Sequence, residues 1–578
     1  MKKFFVIMLV MAAALFMFAE ETEWLIRDVE GGVKGGTLYL GTTSGPKTLN
    51  AYWSQESSSR DIYKYMYESL MGSDNKAQVN QPALAKRFWR EETADGGTAY
   101  YFELRKGLKW SDGQPLTVED IVFTYENIIK GDGMTADGVE TYQDTEGNLP
   151  ELTVDGNILK FKYPTKYRFG YDSLGGITIM PKHIFKDKVD SPESFAQMWT
   201  IEQIGDIISS GPYIVTEYRE GVRVVLERNP YYFIKSKDGV QLPYLDKLVF
   251  LIVQDTNTMR LKFEAGDIDL LQISAADYPA IKAQQAEKNW NIIVGGPNAS
   301  SQFIAFNFNA KDPIHREWFR NDNFRLAMSF AFDRETIIDT LYNGLGEPMY
   351  GPRNRTSAFY NPEIESFGFR YSIAKAKRYL QQAGFTWNSQ GQLLDWDGNV
   401  VEFEITTNSG SNAREEIANI FVDSVQKLGI NVNYRPVQFN TLVQNLYSAN
   451  WDSLILGLQG GDDPAWGTNV WSLNGGLHFW NWSPEVQDWV DPNEYYVSDA
   501  EKRIDEIMKI NRSIMDPAKV QDLWDEWQML AAGKQILVYT VSQNYLVAMK
   551  DDIVIFNPEP SPLYGAGVLW NIEAIYKK

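Results

Sequence analysis

The chain has 578 residues, more than one hydrophobic core usually serves, so two or three packed units are expected. Hydrophobic residues make up 44% and aromatic residues 14% of the sequence, which supplies real cores and argues against a disordered chain. The net charge is −21, from 76 acidic and 55 basic residues, so a nucleic-acid partner is excluded because its phosphates would be repelled.

The sequence offers little of the chemistry that cofactors and metals need. It has no cysteine, which excludes disulfides, thiolate zinc sites, iron–sulfur clusters and cysteine nucleophiles. Its three histidines, His183, His315 and His478, are far apart and form no metal-binding spacing. We therefore expect no cofactor and no metal, and no cysteine or histidine in a catalytic role.

The N-terminus has the pattern of a secretory signal peptide. Lys2 and Lys3 precede an apolar run over residues 4–18, and Ala19 stands before acidic residues. We predict cleavage near residue 19. No lipid-attachment cysteine follows, so the mature protein is expected in the periplasm without a lipid anchor. No later apolar run reaches the length of a membrane span.

Residues 100–125, YYFELRKGLKWSDGQPLTVEDIVFTY, form the clearest local unit of the chain. The alternating pattern and the turns predict a hairpin, and Thr117 with Asp120 predicts a capped helix after Pro115. Residues 104–126 resemble the signature of the family 5 extracytoplasmic solute-binding proteins of ABC importers, the oligopeptide-binding-protein-like family. Further segments resemble the same family in its order along the chain: GGTL from residue 35, QPALAKRFW from residue 81, SGPY from residue 210 and RNPYY from residue 228.

Further elements are predicted from periodicity and from turn residues, in chain order. They are a helix over residues 61–71, a strand over 245–253, a helix over 256–264, a strand over 268–273, a strand over 303–309, helices over 323–334 and from 374 to 384, a helix beginning after Asn412 and a strand over 430–437. The strand–helix–strand run at 245–273 predicts a parallel pair. Arg325 and Asp333 are predicted to have structural ion-pair or capping roles.

The resemblance implies an α/β fold of the periplasmic-binding-protein type. Two α/β lobes joined by hinge strands would enclose the ligand, with an extra small domain beside them. The implied boundaries are 1–19 for the signal peptide, 20–78, 205–299 and 537–578 for lobe one, 79–204 for the small domain and 300–536 for lobe two. The closed form would dock as a monomer on the membrane permease of an ABC transporter, without making or breaking a bond.

The segment expected to select the ligand is a Gly-rich loop over residues 456–482. It carries Trp466, Trp471, Trp480 and Trp482. Aromatic faces on a loop can hold sugar rings or peptide side chains, and we predict ligand contact for Trp466 and Trp471. Trp480 and Trp482 are predicted to pin the loop to its own lobe. Other candidate ligand-binding residues lie in the family-like opening segment, Trp53 and Gln55, or at the N-terminus of the helix predicted after Asn412, where free N–H groups and polar side chains can hold oxygens: Asn408, Ser411 and Asn412.

The ligand class follows from one position in that loop. In peptide-binding members of the family, an aspartate four residues before the proline pairs with the α-amino group of the peptide. Counting back from Pro464, this chain has Gly460, with Gly461 and Asp462 following. An unpaired buried ammonium costs several kcal/mol, so a neutral ligand is favoured. Residues 460–471, GGDDPAWGTNVW, resemble members of the family that bind oligosaccharides, so an oligosaccharide is the expected ligand. Asp462 or Asp463 could substitute, which keeps an oligopeptide as the alternative.

Two other classes of protein remain open on the sequence. A secreted glycoside hydrolase is a minor alternative, because the chain has carboxylates enough for a catalytic pair. A sensor or peptide chaperone with the same fold is another. The ordered family-like segments argue against the hydrolase, whereas tight binding without neighbouring permease genes would reveal a sensor or chaperone.

Overall fold

The computed structural model describes residues 21–54, 57–74, 78–131, 133, 136–298, 301–458, 463–555 and 567–578. The predicted signal peptide lies outside these residues. Within them, no helix is both long enough and apolar enough to cross a membrane.

A mixed sheet forms the body of lobe one. Its strands follow the order Trp290–Pro297, Val541–Lys550, Leu270–Gln272, Thr37–Thr42, Lys247–Ile252, Arg223–Arg228 and Tyr213–Arg219, and Gly346–Pro348 pairs with Val541–Lys550. Thr37–Thr42 is parallel to both of its neighbours, and the other pairs are antiparallel. The helices Ser57–Tyr63, Thr256–Ala265 and Tyr278–Lys288 accompany the sheet.

One detail of this sheet corrects the sequence prediction. The helix Thr256–Ala265 does connect two strands that run in the same direction. These strands do not pair with each other, because Thr37–Thr42 from the start of the chain lies between them. A strand contributed from far away in sequence can be inserted into a local strand–helix–strand unit, and periodicity gives no sign of it.

A second sheet forms lobe two, in the order Asn431–Tyr434, Glu402–Thr406, Ser453–Leu458, Ser301–Phe306 and Val538–Tyr539. The first three strands are parallel, and Ser301–Phe306 is antiparallel to both of its neighbours. Aromatic rings fill the core below: Phe319 lies 5.3 Å from Phe306 and 5.6 Å from Phe403 between ring centroids. The helices are Pro313–Arg320, Asp322–Ala331, Arg334–Leu341, Ile373–Gln382, Asn412–Gln426, Phe439–Tyr447, Asp499–Asn511 and Pro517–Gly533.

The predicted structural roles of two charged residues in lobe two are confirmed. Arg325 is 2% exposed, and its guanidinium pairs with Asp322 at 2.5 Å and donates to the carbonyl of Phe319 at 2.7 Å. Asp333 caps the helix Arg334–Leu341 by accepting from the N–H of Thr336. Both side chains thus hold helix ends in place.

An antiparallel sheet forms the small domain, in the order Ala85–Glu92, Thr98–Leu104, Ile158–Tyr163 and Glu151–Asp155. The helix Val118–Phe123 packs with it and continues as a wider helical segment, Thr124–Ile129. Thr117 and Asp120 form the predicted capping box at its start. The ring of Tyr125 lies 5.1 Å from that of Phe161, which fixes the helix on the sheet.

The predicted helix over residues 61–71 is wrong in extent. The helix is Ser57–Tyr63, and Met71–Ser73 is a strand that pairs with Val79–Pro82. Tyr65 packs against Phe250 of lobe one, whereas the N–H of Met71 bonds the carbonyl of Gly175 in the segment beside the small domain. Between Tyr65 and Met71 the chain passes from one hydrophobic core to another. It is therefore extended there, although the spacing of its apolar residues is typical of a helix.

The remaining elements are short. The strand pairs are Leu25–Arg27 with Ile234–Ser236, Thr386–Trp387 with Leu393–Leu394, and Ile553–Val554 with Tyr576–Lys577. The helical turns are Ala136–Val139, Glu140–Tyr142, Gly170–Ser173, Lys182–Phe185, Pro192–Ala196, Ile201–Asp206, Pro362–Phe367, Pro464–Gly467, Thr468–Trp471, Gly567–Leu569 and Ile572–Ala574.

The chain crosses between the two large sheets near one edge of the lobe-two sheet. One crossing joins Trp290–Pro297 to Ser301–Phe306, and the other joins Val538–Tyr539 to Val541–Lys550. Thr540 and Ser542 on the second crossing donate hydroxyl hydrogen bonds to the carbonyls of Gln302 and Asn298, at 3.0 and 2.8 Å. The crossings are therefore tied to each other. The domain boundaries given above stay predictions.

Candidate functional site

The candidate site lies where the lobe-two sheet meets these crossings. Strands Glu402–Thr406 and Ser453–Leu458 are parallel, and their C-terminal ends lie beside the crossings. Strand Ser301–Phe306 begins at the same place. In open α/β sheets, ligands bind beyond the carboxyl ends of the strands. The loops that follow these two strands carry the predicted residues Asn408 to Asn412 and the Trp-rich segment.

Trp466 and Trp471 are brought together, but in different surroundings. Trp466 is 44% exposed, while Trp471 is 6% exposed and packs against Trp480 and Trp527 at ring distances of 5.5 and 5.4 Å. Both line a cavity of about 180 Å³. Trp466 also lines a larger cavity of about 780 Å³. Of these two tryptophans, Trp466 is thus the one that a ligand can reach more freely.

Two turns of helix position these tryptophans. Asp463 accepts a hydrogen bond from the N–H of Ala465 and so caps the turn Pro464–Gly467, which leads into Thr468–Trp471. The predicted packing role of Trp480 and Trp482 agrees with their complete burial. The indole N–H of Trp482 donates to the carbonyl of Leu446 at 3.1 Å. Trp480 and Trp482 therefore fix the C-terminal end of the loop, while Trp466, nearer its N-terminal end, is exposed.

The second group of predicted residues lies after strand Glu402–Thr406. The helix Asn412–Gln426 begins one residue earlier than predicted, with Ser411 rather than Asn412 as its cap. The amide oxygen of Asn408 accepts from the guanidinium of Arg414 at 2.5 Å. Burial lowers the pKa of Arg414. The amide oxygen of Asn408 is thus engaged within the protein.

The predicted lobe-one residues are only partly described. Trp53 is half-buried and packs beside the lobe-one core, and it lines neither of the two cavities. Gln55, Gly460, Gly461 and Asp462 lie outside the described residues. Ligand contact by all of the predicted site residues therefore stays a prediction.

An ion pair next to the Trp-rich loop joins the segment after the small-domain sheet to lobe two. The guanidinium of Arg168 holds both carboxylate oxygens of Asp463, at 2.6 and 3.2 Å, and also donates to the side chain of Asn511 at 2.7 Å. Both charged side chains are about nine-tenths buried, with 14% and 13% exposure. Burial and the charge of Asp463 raise the pKa of nearby Asp172 to about 6, against the opposing effect of Arg168.

This ion pair concerns Asp463, one of the two carboxylates considered above as a partner for the α-amino group of a peptide. Asp463 could have served as the partner of a peptide ammonium, but its carboxylate is already paired with Arg168. Sequence reasoning did not find Arg168, because 295 residues separate the two and nothing in the motif around Arg168 signals the contact. Phe169, whose ring lies 5.7 Å from that of Trp466, was missed for the same reason.

We expect a coupling of about 2 kcal/mol between Arg168 and Asp463, because breaking a largely buried pair leaves one charge without its partner. The measurement is a double-mutant cycle of thermal unfolding with Arg168→Met, Asp463→Asn and the double variant. Asn at position 463 retains an oxygen for the N–H of Ala465. If the two single losses of stability simply add, the pair contributes nothing of its own.

The fold and this site are those of a two-lobed α/β binding protein. The loops of its candidate site lie where the chain crosses between the lobes. The family model for bacterial extracellular solute-binding proteins, family 5, matches residues 80–479. The chain belongs to this family.

Individual proteins agree with that assignment. A probable ABC transporter-binding protein of Deinococcus radiodurans is 30% identical over 514 residues, covering 84% of this chain and 85% of the relative. The oligopeptide-binding protein AppA of Bacillus subtilis is 29% identical over 543 residues, covering 93% and 92%. The structure of AppA with a nonapeptide matches with a TM-score of 0.68 at 26% identity, covering 95% of this chain and all of that one. MelB of Agrobacterium fabrum, solved with stachyose, shares the fold, with a TM-score of 0.68 at 21% identity over 95% of this chain and 85% of that one.

Proposed function

We propose that this protein captures a neutral oligosaccharide between its two lobes and delivers it to the membrane permease of an ABC importer. It would act in the periplasm, as a monomer, after removal of its signal peptide. The observation that carries the proposal is the pairing of Asp463 with Arg168. It removes a carboxylate that could otherwise receive the α-amino group of a peptide.

The exposed indole of Trp466 supports the same ligand class. An aromatic face holds the C–H face of a sugar ring without any need for a charged partner. Gly460 stands where peptide-binding members have their anchoring aspartate, so the loop offers no carboxylate at that position. A neutral ligand needs none.

The second candidate is an oligopeptide. The similarity to AppA along nearly the whole chain favours it, since AppA is an oligopeptide-binding protein. In this case Asp462 would be the carboxylate that receives the peptide amine. The two candidates differ in one chemical requirement, which is the pairing of a buried ammonium.

A thermal-shift screen of the mature protein separates the two candidates. Neutral gluco-, xylo- and manno-oligosaccharides are compared with a random peptide mixture, because a ligand that binds only the folded state raises the unfolding midpoint. We expect a rise with one sugar set and none with peptides. A rise with peptides alone would refute the neutral-ligand proposal, and Asp462→Asn would then be expected to abolish that rise.

A further inference from the structure

The larger cavity lies between lobe two and residues next to the small-domain sheet. Trp466 forms an aromatic wall, and exposed Asn469 lies on the same side. Across from them are Glu140 and Thr141, both exposed, while half-buried Arg512 lines the lobe-two side. Tyr167 and Phe169 also line the cavity, so it offers aromatic rings together with an amide, a hydroxyl, a carboxylate and a guanidinium. All four polar groups can bond sugar hydroxyls.

The two cavities adjoin each other along the Trp-rich loop. Trp466 and Asn469 line both of them, while Trp471 lines only the smaller one. A linear ligand long enough to occupy both cavities would therefore lie across Trp466 and Asn469. The larger cavity, about 780 Å³, is within the size range of complete small-molecule sites.

The walls of this cavity are held in place before any ligand arrives. The ring of Phe169 packs against Trp466, and Arg168 beside it binds Asp463 and Asn511. Arg512 donates to the carbonyl of Gln143 at 3.4 Å, which ties the lobe-two side of the cavity to the opposite side. A preorganised site loses less free energy to ordering when a ligand binds.

We propose that the larger cavity is a distal subsite for the outer units of an oligosaccharide whose first units lie between the lobes. This inference rests on the proposed function and extends it: the segments at 140–141 and 167–169 contribute to affinity only when the ligand is long enough to reach them. The ligand is then a chain of several sugar units, and affinity rises with chain length.

The test measures how affinity depends on chain length. The variant is Glu140→Gln with Thr141→Val, which removes a charge and a hydroxyl from the cavity wall while keeping side-chain size. The control is Glu151→Gln with Thr153→Val, the same two changes at exposed positions of the strand Glu151–Asp155, away from the cavity. Calorimetric titration uses members of about two to six units from the sugar set that raises the unfolding midpoint.

We expect the Glu140→Gln/Thr141→Val variant to bind the longest members about tenfold more weakly, with unchanged affinity for the disaccharide. The control should match the wild type at every length. An equal affinity at all lengths, or an equal loss at all lengths, would overturn the distal subsite while leaving oligosaccharide capture intact. If no oligosaccharide binds the wild type, the proposed function fails and the subsite fails with it.

Discussion

Trp466→Ala is expected to weaken oligosaccharide binding by about 50- to 100-fold. The indole is 44% exposed and is held from one side by Phe169, so a bound sugar ring can cover much of its free face. Covering about 100 Å² of apolar surface contributes roughly 2.5 kcal/mol, which corresponds to this loss of affinity. Calorimetric titration of wild type and variant with the same oligosaccharide measures it.

Trp489 supplies a matched control. It is also 44% exposed and belongs to lobe two, but it lines neither cavity. Its indole N–H donates to the carbonyl of Tyr447 at 3.2 Å. Trp489→Ala should leave the dissociation constant unchanged. Equal affinities for the Trp466→Ala variant and the wild type would remove Trp466 from the site.

Trp471 is a poorer probe of the same question, although sequence reasoning ranks it beside Trp466. It is 6% exposed, and its ring contacts Trp480 and Trp527. Truncating a buried tryptophan costs about 3–5 kcal/mol of stability, so a loss of binding would have two explanations. A binding study therefore begins with the exposed residue.

The elements that sequence reasoning predicted well are those whose signals are local. The capping box at Thr117 and Asp120, and the cap at Asp333, each depend on residues three apart in the chain. The family-like segments are likewise contiguous, and the matched family model covers residues 80–479. Short-range hydrogen bonds and turns depend on residues that are close together in the sequence, so they can be predicted without knowledge of the fold.

The elements that sequence reasoning missed depend on contacts between distant segments. The helix predicted over residues 61–71 ends at Tyr63 because Tyr65 and Met71 belong to different packed regions. The Arg168–Asp463 pair joins segments 295 residues apart. The periodicity of apolar residues indicates which face of a helix or strand is buried. It does not indicate which hydrophobic core that face packs against. The candidate site was therefore predicted on its lobe-two loop and missed on the opposite side.

The carboxyl group of Glu68 in lobe one leads to a prediction about the stability of the protein that does not depend on any ligand. Glu68 is half-buried, and its carboxyl group accepts a hydrogen bond from the hydroxyl of Tyr232 at 2.7 Å. Burial raises its pKa to about 7; the charge of Glu573 acts in the same direction, while Tyr232 and Arg27 oppose it. The folded protein therefore keeps this proton at pH values where the unfolded chain has lost it.

Glu68→Gln is expected to stabilise the protein at pH 8 and to have little effect at pH 5. Because the folded pKa is raised from 4.5 to about 7, the wild type loses stability as pH rises between these values, by about 2–3 kcal/mol in total. Glutamine keeps an oxygen for Tyr232 and has no charge to bury. Thermal unfolding of both proteins at pH 5 and pH 8 measures the difference, in which other titrating groups largely cancel. Glu30→Gln, at an exposed position, is the control, and an advantage for Glu68→Gln that does not grow with pH would contradict the assignment.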